Sequence, residues 1–113
     1  VGPEILTGSS RLKAGSAQKQ ILNMLTTAAL SRSGKVYSNL MVDLQPTNVK
    51  LLRRANQIVC LATNCSAETA GEALAAAQNH AKTAIVMILA QVDAAEAERR
   101  LQTAHGFIAA AVE

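Results

Sequence analysis

Residues 2–19 hold the chain's densest group of side chains able to bind an anion. Beside the carboxylate of Glu4, the candidates are three of this run's hydroxyls and three cations: Thr7, Ser9, Ser10, Arg11, Lys13 and Lys19. Loop hydroxyls and free backbone N–H groups at the start of a helix bind phosphate, and arginine and lysine add positive charge. The run therefore predicts a site for a phosphorylated ligand.

Each of these side chains also has a purely structural interpretation. Glu4 is placed to accept hydrogen bonds from sugar hydroxyls or to transfer a proton, but it can equally pair with Arg11 or cap a turn. Thr7, Ser9 and Ser10 can donate to a ligand or serve as ordinary helix N-caps. For the two serines we expect both duties.

The three cations are not equivalent. Arg11 and Lys13 are two residues apart and point to different faces of a helix, so we expect at most one of them to contact a given ligand. Lys19 lies two turns further into the predicted helix, which makes it a more remote candidate.

The run resembles a family signature. Gly2-Pro3-Glu4 followed by residues 7–15, Thr-Gly-Ser-Ser-Arg-Leu-Lys-Ala-Gly, is very similar to the signature of the N-acetylmuramic acid 6-phosphate etherases and of the related glucokinase regulatory protein. Both belong to the sugar isomerase (SIS) superfamily of phosphosugar-binding folds. The similarity continues through residues 22–27, 34–43 and 82–87, so it covers nearly the whole chain.

The resemblance implies a lyase that cleaves the D-lactyl ether of N-acetylmuramic acid 6-phosphate, giving N-acetylglucosamine 6-phosphate and D-lactate, without metal or other cofactor. It implies a cytoplasmic homodimer whose partner is a phosphorylated amino sugar, and no binding to nucleic acid or membrane. The substrate-binding candidates are Glu4, Ser9, Ser10, Arg11, Lys13 and Lys19. The last of these aligns with a lysine in the second repeat of the regulatory protein that is associated with the phosphosugar.

The acid–base carboxylates of the etherases lie in their amino-terminal half, so we expect no catalytic residue in this chain. Since the chain opens on Val1-Gly2-Pro3, inside the signature, we interpret it as a carboxy-terminal fragment that is inactive alone. Two alternatives remain: a non-catalytic phosphosugar sensor resembling the regulatory protein, and a helical interaction module whose motif is merely a capped helix.

Composition favours packed helices. Half of the 113 residues are apolar, and Tyr37 and Phe107 are the only aromatic residues, so the core must be built from small aliphatic side chains. Residues 1–56 hold eight Lys or Arg against two acids, whereas residues 57–113 hold three against six. The cations of the basic half are scattered and lack aromatic platforms, which argues against nucleic-acid binding.

The cysteines and histidines do not form a recognisable metal site. Cys60 and Cys65 lie five residues apart, and His80 and His105 are far along the chain, without a second cysteine pair. We expect two buried or partly buried thiols in a reducing compartment and histidines at helix ends or on the surface. The sequence has no leading signal segment and no apolar run of membrane-spanning length.

Apolar spacing predicts the elements that position these residues. Ala14, Ala17, Ile21, Leu25 and Ala28 form a stripe on one long helix from Ser10 to about Leu30. Residues 36–44 can be extended or helical, and Asn39, Asp43 and Asn48 are interpreted as turn residues. Residues 46–48 predict a turn and N-cap, and a second helix follows over residues 51–62.

The carboxy-terminal part contains a weak internal repeat of 27 residues. Ser66, Ala70, Leu74 and Ala77 correspond to Asp93, Ala97, Leu101 and Ala104. Each unit begins with a cap residue, and Asp93 with Glu96 fits a reciprocal capping box. Between them Ala81–Ala90 is apolar on nearly all sides, as in a buried helix, and residues 107–112 predict a short helix or frayed end.

These elements define a fold class that is mainly α: the helical end of an α/β SIS fold followed by a small helical bundle. We expect residues 1–45 to close the SIS domain with its ligand loop and long helix. Residues 46–113 are expected to form a helical region of three to five short helices, which in the related proteins caps the sugar site.

Overall fold

A computed structural model describes residues 1–9 and 11–113. The elements in chain order are α1 (Leu12–Ser31), β1 (Val36–Tyr37), β2 (Leu40–Met41), α2 (Val49–Thr63), α3 (Ala67–Ala76), α4 (Ala81–Ala90), α5 (Ala94–Thr103) and α6 (Ile108–Val112). They form two compact units, Val1–Ser31 and Arg32–Glu113. The mainly helical fold class is confirmed.

The first unit consists of an irregular segment and α1, which follows the predicted helix to within two residues at its start and one at its end. Its predicted apolar stripe is present, but no residue of α1 that the structure describes is buried. Ile21 is 56% exposed and Leu25 is 62% exposed. The helix therefore presents apolar side chains that the described chain does not cover.

Residues 36–44, which the sequence allows to be either extended or helical, contain an extended hairpin. Val36 pairs with Met41 and Tyr37 with Leu40 in a two-stranded antiparallel hairpin. Ser38 turns the chain at φ 54°, in the left-handed region. After the hairpin Val42 is 1% exposed and enters the core of the second unit.

The start of α2 confirms the predicted N-cap. The Asn48 side-chain Oδ1 accepts a hydrogen bond from the Leu51 N–H at 2.9 Å, which satisfies one of the first donors of the helix. At the other end Asn64 adopts a left-handed conformation, and its N–H donates to the Cys60 carbonyl at 2.8 Å. Such a C-cap residue closes the last turn of a helix.

The 27-residue repeat is confirmed in the backbone. The side chains of Ser66 and Asp93 cap α3 and α5 by accepting from the N–H groups of Thr69 and Glu96. Both helices end with the same pattern of main-chain bonds. Among these, Asn79 N–H donates to Leu74 at 2.7 Å and Gly106 N–H donates to Leu101 at 2.8 Å.

The reciprocal part of the predicted capping box is wrong. Glu96 does not return its side chain to the start of α5 in the described structure, because its carboxylate binds two arginines further along the helix. Arg99 donates at 2.6 and 2.7 Å, and Arg100 Nε donates at 2.9 Å. These charged contacts replace the return bond.

Helix α4 is the centre of the second unit. It packs against α2, α3, α5 and α6, and Ala84, Ile85 and Val86 are each 0% exposed. This confirms the buried helix predicted from the apolar run. At five residues, α6 is the short final helix expected.

A glycine pair closes the second unit near the hairpin. Gly34 is buried at φ +72°, and a Cβ added there would lie 2.8 Å from the carbonyl oxygen of Gly106. The backbone before β1 thus lies directly against the turn between α5 and α6. The SIS boundary expected at residue 45 stays a prediction, whereas the compact units divide after Ser31.

Candidate functional site

The start of α1 is occupied by a carboxylate of the chain itself. Glu4 Oε1 and Oε2 accept hydrogen bonds from the Lys13 N–H at 2.8 and 2.9 Å, and Oε1 also accepts from the Ala14 N–H at 3.3 Å. A negative charge here is favourable because the first N–H groups of a helix lack main-chain partners and the helix dipole is positive at this end. The structure shows Glu4 as a cap, which is one of the roles that the sequence allows for it.

This cap changes the predicted anion site. The predicted phosphate site needs free N–H groups at the helix start, and the N–H groups of Lys13 and Ala14 are not free. The ammonium of Lys13 also bends back, because its Nζ donates to the Pro3 carbonyl at 2.8 Å. The structure therefore brings Glu4 and Lys13 together as a folded loop-to-helix contact.

The other predicted binding residues lie along the same segment. Ser9 is half-buried and its N–H donates to the Leu6 carbonyl at 3.1 Å, which forms a turn. Arg11 is exposed just before α1, and Lys19 is exposed more than a turn beyond Lys13. Ser10 lies outside the described residues. The role of these side chains in binding stays a prediction.

A second polar group lies in the helical unit and was not predicted as a site. Asp43 sits between two lysines: Lys35 Nζ is 3.2 Å from its Oδ2, and Lys82 Nζ is 3.7 Å from its Oδ1. Lys82 Nζ also donates to the Gly106 carbonyl at 3.4 Å. The chain thus gathers two cations and one anion at the junction of the hairpin, α4 and the α5–α6 turn.

This ion cluster borders a cleft of about 390 Å³. The cleft is lined by side chains from the segment after β2, from the start of α4 and from α5 with the turn that follows it. Its polar lining residues include Asp43, Gln45, Lys82, Thr83, Glu98 and Gln102. Because its lining includes both donors and acceptors, the cleft suits a small polar ligand.

The two histidines, for which no chemical role was predicted, also line this cleft. Both are exposed, as predicted: His80 immediately precedes α4, and His105 lies in the turn after α5 at φ 52°. The sequence could not place them together, because they are 25 residues apart in separate turns. The sequence feature that could have pointed to them is the 27-residue repeat, because it aligns those two turns.

The cysteines are free thiols of intermediate burial. Burial raises the pKa of the Cys60 thiol, and the neighbouring Cys65 raises it further. Cys60 is thus less often a thiolate than an ordinary cysteine at neutral pH. In the part of the chain that the structure describes, no cluster of three or more metal-ligating side chains occurs.

Two polar residues near the hairpin have structural roles: the N-cap of Asn48 was predicted, whereas Asp43, interpreted from the sequence as a turn residue, is held by ion pairs. Asn48 caps α2, and Asp43 is held by Lys35 and Lys82.

Among the helices described, none is long and apolar enough to cross a membrane.

Comparison with known proteins places these features in context. Residues 38–82 match the family described as the C-terminal lid domain of glucokinase regulatory protein. The chain is 63% identical over 108 residues to an N-acetylmuramic acid 6-phosphate etherase of Aeromonas hydrophila, which covers 96% of this chain and 36% of that protein. It is 60% identical over 112 residues to the etherase of Photobacterium profundum, covering 99% of the chain and 37% of the relative.

The resemblance seen in the signature is thereby confirmed, and it extends over nearly all of the chain. The chain spans little more than a third of the length of these curated relatives. The matched lid family begins within the hairpin segment and ends at Lys82, at the edge of the cleft.

Proposed function

We propose that this chain is the carboxy-terminal portion of an N-acetylmuramic acid 6-phosphate etherase. The observation that carries the proposal is the 63% identity over 96% of the chain to a protein of that name. The whole protein would cleave the D-lactyl ether of N-acetylmuramic acid 6-phosphate to N-acetylglucosamine 6-phosphate and D-lactate. It would act as a cytoplasmic homodimer in the recycling of cell-wall sugar.

The proposed chemistry is elimination followed by addition of water. A base removes the proton beside the carbonyl carbon of the open-chain sugar, lactate leaves with help from an acid, and water adds back. These steps need two carboxylates and a phosphate anchor. We assign the carboxylates to the remainder of the protein and part of the anchor to this chain, because phosphate binding far from the reacting carbons holds the sugar in register.

The proposed anchor is the loop before α1 and the first turns of that helix. Its cations, Arg11 and Lys19, are exposed and available to a ligand, while Glu4 and Lys13 shape the loop through the hydrogen bonds of the α1 cap. The substrate-binding set is Glu4, Ser9, Ser10, Arg11, Lys13 and Lys19. Residues 46–113 would form the lid, and residues 1–45 would close the SIS domain.

The uncovered apolar side chains of α1 support this domain assignment. Ile21 and Leu25 are more than half exposed in the chain. In a protein nearly three times as long, a helix of this kind packs against other elements of its domain. We therefore place α1 inside the complete SIS domain.

The first test uses the full-length protein and compares Arg11→Ala with Arg53→Ala, a matched change at an exposed arginine of α2. We expect Arg11→Ala to raise the KM for N-acetylmuramic acid 6-phosphate about tenfold or more, because a charge-assisted hydrogen bond to phosphate is lost. Arg53→Ala should leave KM unchanged. An equal effect of Arg11→Ala on a dephosphorylated analogue would contradict the phosphate assignment.

A second candidate function is a phosphosugar-binding regulator without catalysis, which the match to the lid of glucokinase regulatory protein favours. D-lactate release by the full-length protein separates the two candidates. Turnover supports the etherase, whereas tight binding of hexosamine 6-phosphates without lactate release supports the regulator. The 113-residue chain alone should release no lactate, and release by it would overturn the assignment of the carboxylates to the rest of the protein.

A further inference from the structure

The start of α4 differs from the start of α1 in having no side-chain cap. His80 occupies the N-cap position and makes no capping hydrogen bond with its side chain. The first main-chain hydrogen bond of α4 runs from the Ala84 N–H to the His80 carbonyl at 3.0 Å. The N–H groups of Lys82 and Thr83 lie in the first turn, before the residue that makes this bond. In a helix of ten residues these first donors and the dipole favour an anion.

Thr83 provides an independent observation that points to a ligand. It is 7% exposed and lines the cleft, and its hydroxyl has no hydrogen-bond partner in the part of the chain that the structure describes. Every fully buried side-chain polar atom among the described residues does have a partner. The Thr83 oxygen therefore reaches the surface of the cleft, where an unpaired polar group is costly unless a ligand or water binds it.

Lys82 adds the charge. Its ammonium has three donors, and the two contacts described for it, with Asp43 Oδ1 at 3.7 Å and the Gly106 carbonyl at 3.4 Å, are both long. Asp43 is also neutralised by Lys35 at 3.2 Å. The cluster of two lysines and one aspartate is thus net positive at the edge of the cleft, and Glu98 is a further carboxylate in the lining.

We propose that the cleft binds a small oxyanion, a phosphate or carboxylate group, on the first turn of α4. The ligands are the N–H groups of Lys82 and Thr83, the Thr83 hydroxyl and the Lys82 ammonium. The cleft is also lined by Glu98, Gln102 and Gln45, whose acceptors and donors suit the hydroxyl groups of the compound that bears the oxyanion. This site lies in residues 32–113 and does not depend on the proposed etherase activity.

The test is an amide NMR titration of the 113-residue chain with inorganic phosphate, glucosamine 6-phosphate and D-lactate in parallel. We expect saturable shifts centred on the Lys82 and Thr83 amides. Tighter binding of the sugar phosphate than of inorganic phosphate would identify a phosphorylated sugar as the ligand class. Tighter binding of lactate would identify a hydroxy acid.

Two variants and one control make the titration decisive. Thr83→Val keeps the side-chain shape and removes the hydroxyl, and we expect it to weaken binding about tenfold, as does Lys82→Met. The control is Thr103→Val, because the Thr103 hydroxyl already donates to the Arg99 carbonyl at 3.1 Å, and it should bind like the wild type. The proposal is overturned if Thr83→Val binds as tightly as wild type, or if the shifts centre on α1 or α2 instead.

Discussion

At the scale of single residues, three carboxylates of the chain stabilise its own helices. Glu4 caps α1 and Asp93 caps α5, while Glu96 binds Arg99 and Arg100. The hydrogen bonds from Arg99 and Arg100 lower the pKa of Glu96 to about 2. The starts of α1 and α5 are thus capped by carboxylates, whereas the starts of α4 and the five-residue α6 have no side-chain cap.

The lowered pKa of Glu96 predicts a specific dependence on acid. Because the folded-state pKa is below the usual value of 4.5, the stabilisation from Glu96 is complete above pH 4.5 and is lost as the pH falls towards 2. We expect the thermal midpoints of wild type and Glu96→Gln to differ at pH 5.5 and to converge by about pH 2, as followed by circular dichroism.

Glu98→Gln is the matched control on the same helix, since the ion pairs of the described chain do not include Glu98. Its difference from wild type should not show this convergence between pH 4.5 and 2. A difference for Glu96→Gln that stays constant over the same range would show that the arginine pairs do not stabilise the folded chain.

At the scale of elements, the close approach of Gly34 and Gly106 joins the segment before β1 to the α5–α6 turn. Both glycines have positive φ, at +72° and +82°. No side chain fits at Gly34, since a Cβ would also lie 2.9 Å from the Gly106 carbonyl carbon and 3.3 Å from the His105 oxygen. This contact also fixes the carbonyl that Lys82 binds at the cleft.

Gly34→Ala should therefore destabilise the second unit by about 2–4 kcal/mol, from the strained positive φ together with the overlap of backbone atoms. Chemical denaturation measures the change. Gly71→Ala is the control, because its Cβ would meet Asn56 Nδ2 at an ordinary 3.5 Å on a helix, where alanine is favoured. Equal stability of Gly34→Ala and wild type would contradict the close approach.

The sequence predicted α2 and α4 well, because a cap residue, an apolar period and a buried run are local signals. The sequence could not distinguish the hairpin from a helix, because strands of two residues are too short to show an alternating pattern. The cleft could not be predicted, since it depends on Asp43, Lys82 and Gly106 meeting through tertiary packing. The sequence allows several roles for Glu4, and only the hydrogen bonds of Glu4 in the structure identify the cap.

At the scale of the whole molecule, the buried core belongs to one unit. Among residues 1–9 and 11–113, sixteen buried apolar residues form one cluster, and they run from Val42 to Ala111. The unit Arg32–Glu113 thus contains a complete hydrophobic core of its own. The unit Val1–Ser31 holds the predicted phosphosugar residues and a helix without buried side chains.

We expect residues 32–113 expressed alone to fold, because this core needs no residue of the first unit. Thermal unfolding followed by far-UV circular dichroism should show one cooperative transition, as small single domains do. The variant Ile85→Ala, which removes buried volume from α4, should lower the midpoint by several degrees. A gradual, non-cooperative loss of helix in residues 32–113 would contradict an independent core.

The repeated turn after α3 and after α5 also has a kinetic consequence. Each turn joins helices that pack on each other, α3 on α4 and α5 on α6, and α4 also packs on α5. Because these contacts join helices that are neighbours in the chain, little loop-closure entropy is lost before they form. The helical unit should therefore fold on the microsecond-to-millisecond scale typical of low contact order, with either turn able to form early.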